Sequence, residues 1–135
     1  MTFRLEVRGI PKAQARARAF AFKKGERTHV RMYDPETSRD WKRTVAHEAA
    51  LAWAQPPLSG PVMVDLRFAL PRPKSLPKRV LHHVKKPDLD NLAKAVKDAL
   101  RGIVYNDDSQ VVCLKVSKAY SPTPGVQIFV STMED

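Results

Sequence analysis

Five aspartates are concentrated in a short stretch of an otherwise strongly basic chain. Five of the 14 acidic residues fall within 21 positions, and they are Asp88, Asp90, Asp98, Asp107 and Asp108. Gathered carboxylates repel one another, and a divalent cation between them removes that repulsion. The chain also has 24 Lys and Arg residues and a formal net charge of +10, which favours a nucleic acid as its partner. Together these two features predict a metal-dependent nuclease.

The spacing of Asp88, Asp90 and Lys94 can bring three functional groups into one small volume. In extended backbone before a helix, side chains two positions apart point the same way. Positions four apart share one face of a helix, which adds Lys94 to Asp90. Asp108 follows Asp90 by 18 positions. A helix of about three turns and a return turn can therefore bring Asp108 beside the same site.

These residue types suit the hydrolysis of a phosphodiester. Magnesium prefers oxygen ligands and keeps several waters, so two or three carboxylates and a substrate phosphate complete its shell. The bound ion polarises the phosphodiester and lowers the pKa of a water. A lysine at such a site can neutralise charge that develops on the phosphorane, or can help to position or deprotonate the attacking water.

Each of these motifs also has an ordinary structural explanation. Aspartates at residues 88–90 can cap the N-terminus of a helix. Asp90 and Lys94 can form a surface ion pair, and residues 106–108 can form a plain turn. Asp98 lies one turn beyond Lys94 and is expected to be an ion-pair partner rather than a metal ligand. Spacing alone does not favour the metal site over these alternatives.

Basic residues are concentrated in two segments. Residues 1–31 hold nine Lys or Arg against two Glu, and residues 72–86 hold six Lys or Arg, two His and no acid. Both segments are expected to lie against phosphates, although a solvated basic surface is the alternative. The expected DNA contacts are Lys12, Arg16, Arg18, Arg72, Lys74, Lys78, Arg79, Lys85 and Lys86. His82 and His83 are expected to contact phosphate or solvent rather than a metal.

Hydrophobic periodicity predicts six strands and two helices. The strands are predicted at residues 2–9, 18–23, 29–33, 61–70, 110–120 and 126–130. One helix is predicted from Asp34-Pro35 to about residue 54, and a second from about residue 90 to residue 100, with Gly102 as its stop. Trp41 and Trp53 are expected in the core or at a dimer interface. The order of elements predicts one α+β domain over residues 1–135, with a mixed β-sheet and two main helices.

The composition excludes several other classes. Cys113 is the only cysteine, so the chain has neither an intramolecular disulfide nor a thiolate zinc site, and a buried free thiol is expected. No run approaches the roughly 20 apolar residues that span a bilayer, so no membrane partner is expected. Charged residues among the first six positions argue against a signal peptide. The expected location is therefore the cytoplasm.

Two motifs frame the acidic stretch. Residues 88–94 read Asp-x-Asp-Asn-x-x-Lys, and residues 107–111 read Asp-Asp-x-Gln-Val. With the surrounding run from Lys86 to Val112, they closely resemble the RusA family of Holliday junction resolvases. The early Gly-Ile-Pro-Lys at residues 9–12, and the closing strand pair with Lys115 and Lys118, are also similar to that family.

The resemblance implies a homodimeric, magnesium-dependent endodeoxyribonuclease that makes paired, symmetric nicks in four-way DNA junctions during recombination and repair. It implies that Asp88, Asp90 and Asp108 bind the catalytic metal and that Lys94 is the catalytic lysine. Asp107 matches a further metal-binding acid whose role is less defined. Two other hypotheses remain open. One is a metal nuclease that acts on other branched substrates, and the other is a basic nucleic-acid-binding protein with a non-catalytic acidic cluster.

Overall fold

A computed structural model of the chain describes residues 2–14, 18–33 and 36–134, and the side chains of residues 18–20, 22, 30–33 and 36 are outside this description. In this part of the chain, six strands and two α-helices follow one another in the predicted order. They are β1 (Thr2–Arg8), β2 (Arg18–Lys24), β3 (Arg27–Tyr33), α1 (Glu36–Ala52), β4 (Val62–Leu70), α2 (Leu89–Leu100), β5 (Val111–Tyr120) and β6 (Gly125–Thr132). A short 3-10 turn at Asp108–Gln110 precedes β5.

The main sheet has four strands in the order β1-β6-β4-β5. β6 pairs antiparallel with both β1 and β4, whereas β4 and β5 are parallel. A parallel pair cannot be joined by a hairpin, so the chain must cross over between these two strands. Residues 71–110 form that crossover, and they contain the basic loop, α2 and the acidic turn. The predicted α+β class with a mixed sheet is confirmed. β2 and β3 form a separate antiparallel hairpin around Gly25.

Both helices pack against one face of the main sheet. In β4, Val64, Leu66 and Phe68 are buried, and the residues between them are more exposed. α2 buries a stripe of small and branched residues at helical spacing, which are Leu92, Ala93, Ala95, Val96, Ala99 and Leu100. Burial of one large aliphatic side chain is worth about 1.5–3 kcal/mol, so this stripe fixes α2 firmly on the sheet.

The two tryptophans are core residues of α1 and the segment that follows it. Trp41 and Trp53 are 6% and 5% exposed, and the Phe3 ring meets the Trp53 ring edge-on with centroids 5.2 Å apart. The predicted start of α1 at residues 34–35 lies outside the described residues. The helix ends at Ala52, just before the predicted stop at residues 55–57, and the Trp53 Nε1 donates to the Pro56 carbonyl oxygen at 3.2 Å.

β5 lies at an edge of the described sheet, and this changes two expectations for its residues. The alternating pattern that predicts this strand puts the apolar residues Val112, Leu114 and Val116 on one face, yet Val112 and Leu114 are 60% and 42% exposed. The expectation of a buried thiol was wrong, because Cys113 is a free cysteine that is only half-buried. An edge strand has a neighbour on one side alone, so its side chains keep part of their contact with solvent. Neither described helix is long and apolar enough to cross a membrane.

Candidate active site

Asp88 stands at the N-terminus of α2 with its carboxylate available. It is the N-cap residue in extended backbone, and its carbonyl oxygen accepts from the Leu92 amide at 3.0 Å. Its side chain makes no capping hydrogen bond to any described residue. Capping, which was the structural explanation for an aspartate here, therefore does not occupy this carboxylate. A negative charge at this position is also favoured by the helix dipole.

A groove between α2 and β5 brings three of the predicted residues together. Its walls include Asp90, Lys94 and Asp108, and its floor includes Leu114 and Val116 of β5, around a volume of about 460 Å³. Residues 90 and 94 share a helix face because they are one turn apart. The crossover connection then returns Asp108 to the same groove, as the spacing predicted.

Asp88 lines a different cavity, on the other side of the first turn of α2. This cavity has a volume of about 630 Å³ and also contacts Asn91. The expectation that Asp88 and Asp90 point the same way assumed extended backbone at both positions. The helix begins at Leu89, so Asp90 already follows helical geometry, in which positions two apart diverge.

The turn that carries Asp107 and Asp108 is held by one side chain, Gln110. Its Oε1 accepts from the amides of Asn106 and Asp107 at 2.8 and 2.9 Å. Its Nε2 donates to the carbonyl oxygens of Leu58 and Gly60, both at 2.9 Å. An amide side chain has two donor and two acceptor positions, and all four are used here. Gln110 therefore ties the acidic turn to the segment before β4.

Asp107 closes the same turn. Its Oδ1 accepts from the Ser109 amide at 3.0 Å, and this hydrogen bond lowers the pKa of the Asp107 carboxyl. With the Gln110 side chain bonded to the Asp107 amide, the two residues form a capping box. The Asp107 carboxylate thus already has a structural partner. Its role as a metal ligand remains a prediction.

Asp108 is half-buried, and one of its carboxylate oxygens is buried without a hydrogen-bond partner among the described residues. Its Oδ1 is buried and has no hydrogen-bond partner in the described part of the chain, and its Oδ2 lies 3.9 Å from Arg101 Nη1. Tyr105 is buried nearby and donates to the Lys97 carbonyl oxygen at 3.2 Å. Burial, and then the Asp108 charge, raise the pKa of the Tyr105 hydroxyl. A buried carboxylate oxygen without a partner is costly, so a ligand is expected there.

Lys94 has an ammonium group that can move. Its Nζ lies 3.9 Å from Asp98 Oδ1, which confirms the expected ion pair, and the Lys94 side chain is 61% exposed. An exposed pair one helical turn apart is worth only about 0.3–0.5 kcal/mol. Lys94 can therefore exchange Asp98 for a phosphate oxygen in the groove at little cost.

The carboxylates fit magnesium as a two-residue set. Among the residues that the structure describes, no group of three or more His, Cys, Asp or Glu side chains is placed to hold a metal ion. Magnesium, however, is commonly held by one or two carboxylates together with waters and substrate phosphates. Asp90 and Asp108 line one groove, and the Asp108 oxygen that lacks a hydrogen-bond partner among the described residues would be a ligand atom for such an ion.

Lys118 holds the segment that leads into Asp88. This β5 residue donates through its Nζ to the carbonyl oxygens of Lys85 and Pro87, at 2.9 and 3.0 Å. The Lys86–Pro87 peptide between them is cis. Lys118 and Gln110 are positioning residues whose roles sequence reasoning did not find. The family motifs included both of them, but spacing could not show which backbone groups they contact.

The basic residues predicted to bind DNA are distributed unevenly. Lys12, Lys85 and Lys86 line the cavity beside Asp88. Arg72 donates to the carbonyl oxygens of Pro77 and Val80 and lies over the Tyr120 ring, so it folds the loop, and a DNA contact would compete with these bonds. The remaining residues predicted to contact DNA either are exposed on the loop or lie outside the structural description. Lys74, Lys78 and Arg79 are exposed, Arg16 lies outside the described residues, and so does the Arg18 side chain.

Known proteins match this chain over nearly its whole length. The family model described as "Endodeoxyribonuclease RusA" matches residues 8–131, which include α2, the acidic turn and the positioning residues. The chain belongs to the RusA family. A relative named "Uncharacterized protein YqaN", from Bacillus subtilis (strain 168), is 40% identical over 134 residues, with 92% of each chain covered. The RusA match therefore assigns the chain to an endodeoxyribonuclease family and contains the whole candidate site.

Proposed function

We propose that this RusA-family protein is a magnesium-dependent endonuclease that resolves four-way DNA junctions by paired, symmetric nicks. The observation that carries this proposal is the groove shared by Asp90, Lys94 and Asp108, with a buried Asp108 oxygen that lacks a partner among the described residues. A role in DNA recombination and repair follows from that substrate. The rest of the proposal concerns how the residues around the groove act on DNA.

Asp90 and Asp108 are the residues that would hold magnesium, with Asp88 as a further ligand from the N-terminus of α2. When bound, the ion polarises the scissile phosphodiester and makes a nucleophilic water available. The two aspartates thus provide negative charge for the ion, and the rest of the groove must accommodate the phosphate. The exposed Lys94 ammonium suits this second task, because it leaves a weak pair with Asp98 and can neutralise charge that develops on the phosphorane.

The charge of the protein supports binding to DNA. A formal net charge of +10 on 135 residues attracts phosphates from a distance, and Lys12, Lys85 and Lys86 lie beside the N-terminus of α2. Phosphate contacts position a protein on DNA but do not recognise the base sequence. Junction binding should therefore weaken steeply as the salt concentration rises.

We also propose that the enzyme acts as a homodimer. A four-way junction presents two equivalent strands, so two identical sites related by a two-fold axis can cut both of them without reorientation. A protomer has a mass of 15.2 kDa, and sedimentation at micromolar concentration should give twice that value. A mass that stays at 15.2 kDa would contradict the dimer.

The test is cleavage of a labelled synthetic four-way junction beside a linear duplex of the same sequence, with magnesium or with EDTA. Paired nicks on the junction alone, and only with magnesium, would support the proposal. Equal cutting of every substrate would leave a nuclease without junction selectivity. Tight binding without cutting would favour a non-catalytic DNA-binding protein.

Asp90→Asn tests the assignment of the site. We expect cleavage to be lost while junction binding is kept or tightened, because the change removes a charge that repels phosphate. Asp40→Asn is the matched control, since Asp40 is an exposed acid on α1 that pairs with Arg43 at 3.7 Å, away from the groove. Cleavage by Asp90→Asn at the rate of the control would show that Asp90 does not hold the metal.

A further inference from the structure

The cavity that Asp88 lines is larger than the groove of Asp90, Lys94 and Asp108. It has a volume of about 630 Å³, against about 460 Å³ for the groove. Volumes of about 300–1,000 Å³ are typical of sites that enclose a small organic group. The first turn of α2 separates the two, with Asp88 and Asn91 on one side and Asp90 and Lys94 on the other. A DNA strand that enters the groove therefore passes directly beside this cavity.

The walls of the cavity are mainly apolar and aromatic, and its cations are lysines. Leu70, Pro71 and Pro73 supply apolar surface, and Lys12 and Lys86 bring positive charge. A pocket for phosphate alone would need charged or amide donors throughout rather than proline and leucine. Apolar walls beside cations match the two parts of a nucleotide, which are a flat base and a charged backbone.

Two aromatic rings stand against each other in the wall. The His83 and Tyr120 ring centroids are 4.9 Å apart, and the ring planes are inclined by 47°. Bases without a stacking neighbour bind well against such rings. Arg72 lies over the Tyr120 ring at 5.3 Å and keeps it in place. The Tyr120 ring therefore contacts two residues of the loop of residues 71–86.

His83 also has an unused hydrogen-bonding atom. Its Nδ1 is buried and lacks a hydrogen-bond partner within the described residues. Burial, and then the charge of Lys118, lower the pKa of the His83 imidazole, which favours the neutral form of the ring. A neutral imidazole has one donor nitrogen and one acceptor nitrogen. Such a group can distinguish bases by the donors and acceptors on their edges.

We infer that this cavity is a nucleobase subsite, which receives one unstacked base of the cut strand next to the scissile phosphate and sets the base preference of cleavage. The inference rests on the proposed nuclease function, because the metal groove delivers the strand to the cavity. Removing a base from its stack costs free energy, and the cost is least where base pairing is already interrupted, as at a branch point. Stacking on His83 and Tyr120 offsets that cost.

The first test measures the position of the base directly. A junction carries 2-aminopurine, whose fluorescence rises when it unstacks, at the nucleotide beside the cut site that wild-type cleavage has mapped. The protein is Asp90→Asn, so the strand stays intact. We expect fluorescence to rise several-fold on binding at this position, and to stay constant when the probe lies five nucleotides away in the same arm. Binding without any rise beside the cut would overturn the inference.

The second test measures base preference with a matched pair of variants. His83→Ala should reduce the ratio of cleavage rates between preferred and other bases by about fivefold, which is the effect of about one hydrogen bond. His82→Ala is the control, because His82 is the adjacent exposed histidine of the same loop. His83→Phe keeps a ring for stacking, so it should keep the fluorescence rise and lose the preference. An unchanged preference in both His83 variants would refute the role of this residue.

Failure of the inference and failure of the proposed function are distinguishable. If wild-type protein cuts no junction, the nuclease proposal fails, and the nucleobase subsite, which rests on it, fails with it. If it cuts junctions normally, but the probe stays stacked and the His83 variants keep the wild-type preference, the nucleobase subsite alone is wrong. The fluorescence test does not depend on the His83 variants, so it remains decisive if they fold poorly.

Discussion

Removal of the Gln110 side chain should damage both the stability and the catalysis of this protein. In Gln110→Ala, the amides of Asn106 and Asp107 and the carbonyls of Leu58 and Gly60 lose their shared partner. A typical hydrogen bond contributes about 0.5–1.5 kcal/mol net. Because the turn is largely exposed, water replaces part of what is lost, and we place the sum near the lower end, at about 2 kcal/mol.

Gln110→Ala should reduce the cleavage rate by more than its loss of stability explains. Gln110 fixes the turn that brings Asp108 into the groove, so its loss lets that carboxylate move relative to Asp90. A displacement of about 1 Å at a catalytic group can reduce the rate about 100-fold. We therefore expect a large fall in the junction cleavage rate under conditions where the variant is fully folded, with little change in junction affinity.

Urea denaturation and single-turnover cleavage are the two measurements, and Gln55→Ala is the matched control. Gln55 is an exposed glutamine in the segment after α1. The denaturation midpoint of Gln110→Ala should fall at a constant m-value. Stability within about 0.5 kcal/mol of wild type, together with normal cleavage, would refute the claim that this side chain holds the acidic turn.

Three further experiments test the rest of the site. Lys118→Met removes the two hydrogen bonds to Lys85 and Pro87, so it should slow cleavage at least tenfold. Lys115→Met, at an exposed residue of the same strand, is the control and should have little effect. Equal cleavage by the two variants would contradict the positioning role of Lys118. The hydrogen bond from the Ser109 amide lowers the pKa of Asp107. The stability that this bond contributes is therefore present above the ordinary pKa of 3.8 and is lost as the pH falls through the lower pKa of the folded state. NMR titration should place the pKa of Asp107 below 3.8, and a pKa at or above 3.8 would count against the cap. Asp98→Asn should change the free energy of unfolding by no more than about 0.5 kcal/mol and leave cleavage near wild type. Lys94→Met should abolish cleavage. Loss of cleavage in both variants would mean that the ion pair, rather than the lysine alone, is required.

The fold was largely predictable because its signals are local. Alternating residues in β4 and the apolar stripe of α2 specify a strand and a helix without reference to the rest of the chain. The edge position of β5 was not predictable, since exposure of Leu114 depends on which strands pair and how far α2 extends over the sheet. Cys113 lies on the opposite face of the sheet from Leu114, beside Met63, and its half-buried state likewise depends on strand pairing that the sequence does not reveal.

The candidate site was predictable where residues lie one helical turn apart, as Asp90 and Lys94 do. It was not predictable where backbone carbonyls are the partners, because carbonyls are identical at every position of a sequence. Gln110 and Lys118 both act in this way, on Leu58 and Gly60 in one case and on Lys85 and Pro87 in the other. No spacing rule relates positions that are 31 to 52 residues apart.

The position at which α2 begins determines how the site is divided. Because the helix starts at Leu89, its first turn stands between the cavity of Asp88 and the groove of Asp90. If the helix began after Asp90, both carboxylates would lie in extended backbone and face one side. The observed start places the groove of Asp90, where we propose the metal binds, and the cavity that we infer receives a base on either side of one helical turn. Lys118 holds one side of that turn through Pro87, and Gln110 holds the acidic turn on the other. The proposed catalysis and the inferred base preference would therefore both depend on the same short helix end.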